Sequence, residues 1–198
     1  MEAYYAQYNI NLTLAGADQT IYDIWANDQA DTQMKHVLHK GNYRTLNLYF
    51  QTYLSGALGR CTFPAQYVGN ATYSEYYTDD GCNILAATLP GGAAYGYNMG
   101  KTAVHEIGHW FGLLHTFQGL NCSGPGDLID DTPAEAIQTD GCPASKNTCA
   151  RPAGDTSTQD PFHNFMDYST DECYNQFTTG QAQRMFDQFD AYRRYVVG

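Results

Sequence analysis

The eleven residues HEIGHWFGLLH, positions 105–115, constrain this chain more than any other stretch. Three histidines and a glutamate stand among residues that are otherwise apolar or glycine. Ionisable groups are costly to bury unless they are paired or bound to a metal. His105 and His109 are four residues apart, so on an α-helix both imidazoles lie on one face, a turn apart. That is the geometry for two bonds to one zinc ion. Glu106 is too offset to be a natural third ligand, yet near enough to reach a water on the metal. Zinc lowers the pKa of such a water towards ~7, and a neighbouring carboxylate can serve as its general base. Continued as helix, His115 would lie ~15 Å along the axis from His105. Gly112 removes the obstacle, because glycine readily adopts the left-handed conformation that ends a helix. The chain then turns and His115 returns to the same ion. One coordination position stays open, as a catalytic zinc requires. Gly108 lies inside the predicted helix, where glycine costs roughly 1 kcal/mol relative to alanine; close packing against a neighbour would account for it.

The rest of the chain suits an extracellular globular protein. At 198 residues it can bury a sizeable core as one domain. A formal net charge of -11 argues against nucleic acid and anionic membranes as partners. No apolar run approaches the ~20 residues of a membrane span, and the first fifteen residues lack the basic start and apolar run of a signal peptide. Six cysteines, Cys61, Cys82, Cys122, Cys142, Cys149 and Cys173, form no C-x-x-C pair. An even, scattered set reads as disulfides and secretion, with buried thiols of a cytosolic protein as the competing reading. The sequons at Asn11, Asn70 and Asn121 agree with secretion and glycosylation. About 15 connectivities are open to six cysteines.

Periodicity predicts a strand over 10–14 (INLTL) and a helix over 27–41. In that helix Ala30, Met34, Val37 and Leu38 share a face, Asn27 or Asp28 can cap it, and Gly41 ends it. A strand over 44–50 puts Leu46, Leu48 and Phe50 on one side; another covers 82–89 (CNILAATL), closed by Pro90-Gly91-Gly92. Residues 98–111 read as the helix of the histidine motif. From 116 to 176 the chain is rich in Gly, Pro, Asp, Thr and Cys, and holds four of the cysteines. A stretch that long without periodicity is uncommon unless functional or cross-linked. The last helix starts at a capping box, Thr178 with Gln181, and offers Ala182, Met185, Phe186 and Phe189 as its apolar face.

With these residues in view, H-E-x-x-H-x-x-G-x-x-H resembles the metzincin signature. HNFMDYS, 163–169, fits the methionine turn of that group, with Met166 as the turn methionine. The stretches YNMGKTAVHEIGHWFGLLHTF, GDLIDDTPAE and FHNFMDYSTDECYNQFTTGQAQRM are similar to the pappalysin (M43) family, especially its secreted fungal metalloproteases. The resemblance covers the chain from about Asn9 onward. It implies an α+β fold: a twisted mixed sheet with the active-site helix in an N-terminal lobe (1–111), and an irregular, disulfide-linked C-terminal lobe (112–198) ending in a helix, together one catalytic domain. It implies the bonds Cys122–Cys149 and Cys142–Cys173, which leaves Cys61–Cys82. It also implies that the family's first strand and most of its first helix lie upstream of this chain, MEAYYAQYN being the tail of that helix.

The implied function is a secreted zinc endopeptidase acting on protein or peptide substrates, as a monomer. His105, His109 and His115 hold zinc, Glu106 is the general base, and Tyr168 is placed to stabilise an oxyanion, a structural tyrosine being the alternative. CNILAATL is the candidate upper edge of the cleft, pairing with extended substrate. Asp127, Asp130, Asp131 and Thr132 are hard-oxygen groups of the kind calcium prefers; a solvated acidic loop is the alternative. Asp171 is a candidate specificity residue favouring Arg or Lys after the cleaved bond, against a solvated loop aspartate. From a different class, a zinc-stabilised binding module or inactive homologue is the second functional reading.

Overall fold

A computed structural model describes residues 1–65, 77–149 and 159–194. Helix α1 is Glu2–Ala6, α2 Asp23–Ala26 and α3 Asp31–Leu38. Strands follow at Leu48–Gln51 (β1), Gly59–Cys61 (β2) and Cys82–Leu85 (β3), then helix α4, Lys101–Trp110, and helix α5, Thr179–Tyr192. The sheet has the order β1-β3-β2, with β1 parallel and β2 antiparallel to β3. It is a mixed sheet in an α+β fold, and α4 packs against β2 and β3.

Strand β3 is buried because it is central. Cys82, Asn83 and Ile84 are all closed to solvent. The amide of Asn83 survives there because it donates to Asp31 Oδ1 and Gln51 Oε1, each at 2.7 Å. Cys61 stands opposite Cys82 in the ladder and is bonded to it, with Cα atoms 4.1 Å apart. The segment read as the upper edge is therefore the middle of the sheet. It is a strand only to Leu85 and then a short 3-10 turn, Ala86–Thr88. The edge beside α4 belongs to β2, whose Gly-Arg-Cys is too short to announce itself by alternation.

Other expectations change for local reasons. Residues 10–14 carry the alternation of a strand but join no ladder among the described residues. Ile10 is buried and Leu12 packs on the core, so the pattern records which side chains face inward rather than a paired backbone. The helix expected over 27–41 is split. Asn27 ends α2 instead of capping the next helix, and Asp28, with φ of 60°, binds the guanidinium of Arg60. Met34 is buried as expected, whereas Val37 is 58% exposed. Leu46 and Leu48 pack on the core but Phe50 of β1 faces solvent, while Tyr49 is buried beside Lys35 of α3 and Gln51 is buried donating to the Trp25 carbonyl of α2. Gly41, with φ of 78°, lies just past the end of α3.

The main core gathers Ile84, Val104, Ile107, Trp110, Phe111, Leu113, Phe165, Met166, Phe177 and Met185. The N-terminal turn is tied into it. Tyr5 is fully buried and its hydroxyl donates 2.7 Å to the Val104 carbonyl; Tyr8 does the same to Phe177 at 2.8 Å. Among the described residues, 116–177 contain turns and a single isolated bridge, Asn164 with Gln176. Helix α5 opens with the expected capping box of Thr178 and Gln181. Ala182 and Met185 are buried and Phe189 packs on the core, but Phe186 is 41% exposed. No helix among the described residues is long and apolar enough to cross a membrane. The Asn70 sequon lies outside the described residues.

Candidate metal centre and active site

Every residue of α4 from Lys101 to Trp110 is buried, so its two histidines need an internal purpose. Their Nε2 atoms are 3.1 Å apart. After Trp110 the helix stops. Gly112 has φ of 92°, its N–H donates 2.8 Å to the His109 carbonyl, and Leu113 donates 3.0 Å to that of Gly108. This turn brings His115 back, with Nε2 3.3 Å from His105 and 3.1 Å from His109. Three ligands in a tetrahedral shell at ~2.0–2.1 Å from zinc stand ~3.3 Å apart, so the trio fits a single ion. Among the described residues no other group of histidine, cysteine or acidic side chains converges in this way.

The surroundings hold the rings in their ligating form. His105 Nδ1 lies 2.6 Å from the Phe165 carbonyl and His109 Nδ1 2.8 Å from the Leu113 carbonyl. A carbonyl accepts only, so each Nδ1 carries the hydrogen and each Nε2 offers its lone pair. Burial, and the other histidines, hold His105 well below the usual imidazole range. Burial lowers His109 as well and takes His115 to about 3. Neutral imidazoles are what a metal binds. His115 stacks on Phe117, ring centres 4.7 Å apart.

Glu106 lies in a dry position. Burial pushes its carboxyl up to about 8, and Oε2 has no hydrogen-bond partner among the described residues. An unpartnered buried carboxylate oxygen of this kind is rare in folded proteins. Gly59 of β2 makes the room: a Cβ there would fall 2.5 Å from Glu106 Cγ. That requirement is invisible in the sequence, because Gly59 is 47 positions before Glu106.

Met166 is fully buried, and its sulfur lies where a Cβ on Gly108 would have to sit, at 2.5 Å. This explains the helical glycine: the methionine turn packs straight onto the backbone of α4. The Met166 carbonyl also accepts the Thr116 N–H at 3.2 Å, next to His115. Tyr168 is 40% exposed, its ring 4.9 Å from His115 and 5.7 Å from His105. Burial and Glu106 raise its phenol above the ordinary range.

The remaining candidates divide. Asp171 is buried rather than solvated. One carboxylate oxygen accepts the Met99 N–H at 2.6 Å, ahead of α4, and the other has no partner among the described residues. Asp127, Asp130, Asp131 and Thr132 do not converge on one point. Asp127 is buried and accepts the Thr132 hydroxyl at 2.7 Å, and burial raises its carboxyl to about 6. Asp131 turns to α5, accepting from Thr178 at 2.6 Å and the Gly180 N–H at 2.8 Å. The chain pairs Cys122 with Cys149 and Cys142 with Cys173, both with Cα atoms 5.3 Å apart. A network unforeseen from sequence braces His115 from behind. Buried Glu135 accepts the hydroxyls of Thr116 (2.7 Å) and Thr139 (3.2 Å) and pairs with Lys146, which is 3.4 Å from Asp160.

A family model described as Peptidase_M43, pregnancy-associated plasma protein-A, matches residues 28–190. The chain belongs to the M43, or pappalysin, family of metalloproteases. This M43 chain is 50% identical over 189 residues to an extracellular metalloprotease of Neurospora crassa, covering 96% of the chain and 64% of the relative. It is 50% identical over 190 residues to an extracellular metalloprotease of Pyricularia oryzae, with the same coverage. It thus spans just under two thirds of the length of these relatives. The fold matches mature mirolysin of Tannerella forsythia, solved with a cleaved peptide, at a TM-score of 0.64 and 33% identity, over 80% of this chain and 60% of that one. Mirolysin is a metzincin, and the M43 chain shares that fold.

Proposed function

We propose that the protein is a secreted zinc endopeptidase whose catalytic unit spans the sequence, with Glu106 as general base. The observation that carries this reading is a buried, unpartnered glutamate next to a histidine trio whose Nε2 atoms lie 3.1 to 3.3 Å apart. His105, His109 and His115 would hold the zinc. When bound, zinc supplies Lewis acidity, lowering the pKa of water and polarising a carbonyl. Glu106 takes the proton of the attacking water and later gives it to the leaving amine. Its dry, roomy position beside Gly59 suits that exchange. Tyr168 offers a hydroxyl from the open side to the developing oxyanion.

Extended substrate would lie along β2. The side of β2 away from β3 has no ladder partner among the described residues, and a bound peptide can supply one by β-augmentation. Asp171, with an unpartnered buried carboxylate oxygen, supports a preference for Arg or Lys after the cleaved bond. Peptide-library cleavage tests this: no preference for a basic residue there removes that role. Calcium at Asp127, Asp130, Asp131 and Thr132 is supported by family likeness alone. Its test compares thermal stability in EGTA with that in EDTA plus added zinc, and equal stability ends it.

The deciding experiment is casein digestion by the 198-residue chain, with and without 1,10-phenanthroline, alongside zinc content. Glu106→Ala should lose activity by at least about 10²–10⁴-fold while zinc stays bound. Undiminished activity in that variant refutes the mechanism. A wild-type chain that binds zinc but never cleaves supports a zinc-stabilised binding module instead.

A further inference from the structure

We propose that helix α5 is a clamp on the bend between His109 and His115, and that Arg184 and Arg193 are positioning residues for metal binding. The inference rests on the zinc reading above, but concerns residues outside the histidine motif. The third ligand reaches the trio only because the chain reverses at 110–112. A glycine bend is permissive, and its freedom has to be removed by something else. Four side chains meet that bend, three from α5 and Arg193 from the position that caps its end. Arg184 donates through Nε to the Gly112 carbonyl at 2.8 Å. Gln188, one turn on, covers Gly112 so closely that a Cβ there would fall 2.7 Å from its Cγ. Arg193 donates through Nε to the Trp110 carbonyl at 3.2 Å. Phe189, between them, lies 6.0 Å from Phe111 and 6.1 Å from Trp110, ring centre to ring centre.

The chemistry suits the place. The last carbonyls of a helix lack intrahelical partners and carry the negative end of its dipole, so cations are favoured there. Arg193 is itself immobilised. It is fully buried, pairs with both oxygens of Asp80 at 2.8 and 3.0 Å, donates to the Tyr43 carbonyl at 3.1 Å and lies 3.8 Å over the Trp110 ring. Asp80 also accepts the Trp110 indole N–H at 2.7 Å, just before β3. The end of the zinc helix is thereby referred to the sheet through Asp80, and the bend to α5 through Arg184. His115 depends on both, since it lies three residues beyond Gly112. Zinc affinity should therefore depend on a helix that supplies no ligand.

The test measures zinc affinity of the purified chain by competition with a chromophoric chelator, and the visible spectrum of its cobalt form. Arg184 is only partly buried, so Arg184→Met leaves the packing of its stem. Arg184→Met should weaken zinc binding by about tenfold or more, the range found for groups that orient metal ligands, and should shift the cobalt bands. Arg184→Lys, which keeps a cation near the Gly112 carbonyl, should recover part of the loss. Gln183→Ala, an exposed neighbour on the same helix, should bind zinc as the wild type does. Affinity in Arg184→Met within twofold of the wild type, whatever its melting temperature, overturns the clamp. A wild-type chain that binds no zinc overturns the metal reading along with it.

Discussion

The part of the chain up to Gly112 and the part from 116 to 177 are held together by different forces. The first has a hydrogen-bonded sheet, a buried helix and most of the apolar core, to which the second adds Phe165, Met166, Tyr174 and Phe177. The second has, among the described residues, one isolated bridge, two disulfides and buried charged groups tied by side chains. Both supply the site: His105, Glu106 and His109 from the first, His115 from the bend between them, Met166 and Tyr168 from the second. Regular structure sets spacing by repetition. The irregular part sets it by individual contacts, each of which matters more because few others share its load.

Several substitutions can break or sharpen that contrast. The largest effect is expected at Lys146. Lys146→Met leaves the buried carboxylates of Glu135 and Asp160 without their cation, a change costing about 3–5 kcal/mol. Arg60→Met, at a pair in the first part whose cation is 40% exposed and whose Asp28 side chain is 5% exposed, should cost less, about 1–3 kcal/mol. Urea unfolding of both variants measures the difference, and equal losses would erase the distinction. Next come the disulfides. Cys142→Ser with Cys173→Ser opens a 31-residue separation in a region with no ladder among the described residues, and about 2–4 kcal/mol should be lost. Opening Cys61–Cys82 should affect stability less than this, because β2 and β3 remain hydrogen-bonded; calorimetry of the two double variants checks the order.

A smaller effect probes the contact between the parts. Gly108→Ala drives a methyl group into Met166 Sδ, an overpacking that should cost about 1–3 kcal/mol. If Met166 is what forbids the methyl group, Gly108→Ala with Met166→Ala should recover part of that cost relative to Met166→Ala alone. A double-mutant cycle without coupling would disconnect the two. The smallest effect is expected at the α5 cap. Thr178→Ala removes the acceptor for the Gln181 N–H, worth about 1 kcal/mol, and a melting curve suffices to see it.

The contrast also explains what could be read in advance. The histidine motif is legible because a helix repeats every 3.6 residues and a glycine breaks it; spacing alone brings two rings together and permits the third. The capping box at Thr178 is legible for the same local reason. Strand β2 is not, because three residues give no period, and 10–14 misled because alternation reports burial rather than pairing. For Asp171 the sequence left a specificity residue and a solvated loop aspartate open; the carboxylate is buried ahead of α4, a position no local pattern announces. The loop 126–135 looked like a cluster of carboxylates, yet Asp131 belongs to the start of α5.

The sequence by itself determined that His105, His109 and His115 converge, that Glu106 stands beside them, where the glycine turn gathers the rings and, through family likeness, the metzincin fold. Those depend on residue type and on separations of a few positions. Only the tertiary structure decided that Gly59 clears space for Glu106, that Met166 rests on Gly108, that Glu135 stands behind Thr116, and that Arg184 and Arg193 grip the bend. Each of those contacts joins residues between 19 and 83 positions apart. A one-dimensional pattern carries no distance between such residues; packing at near-crystalline density creates it.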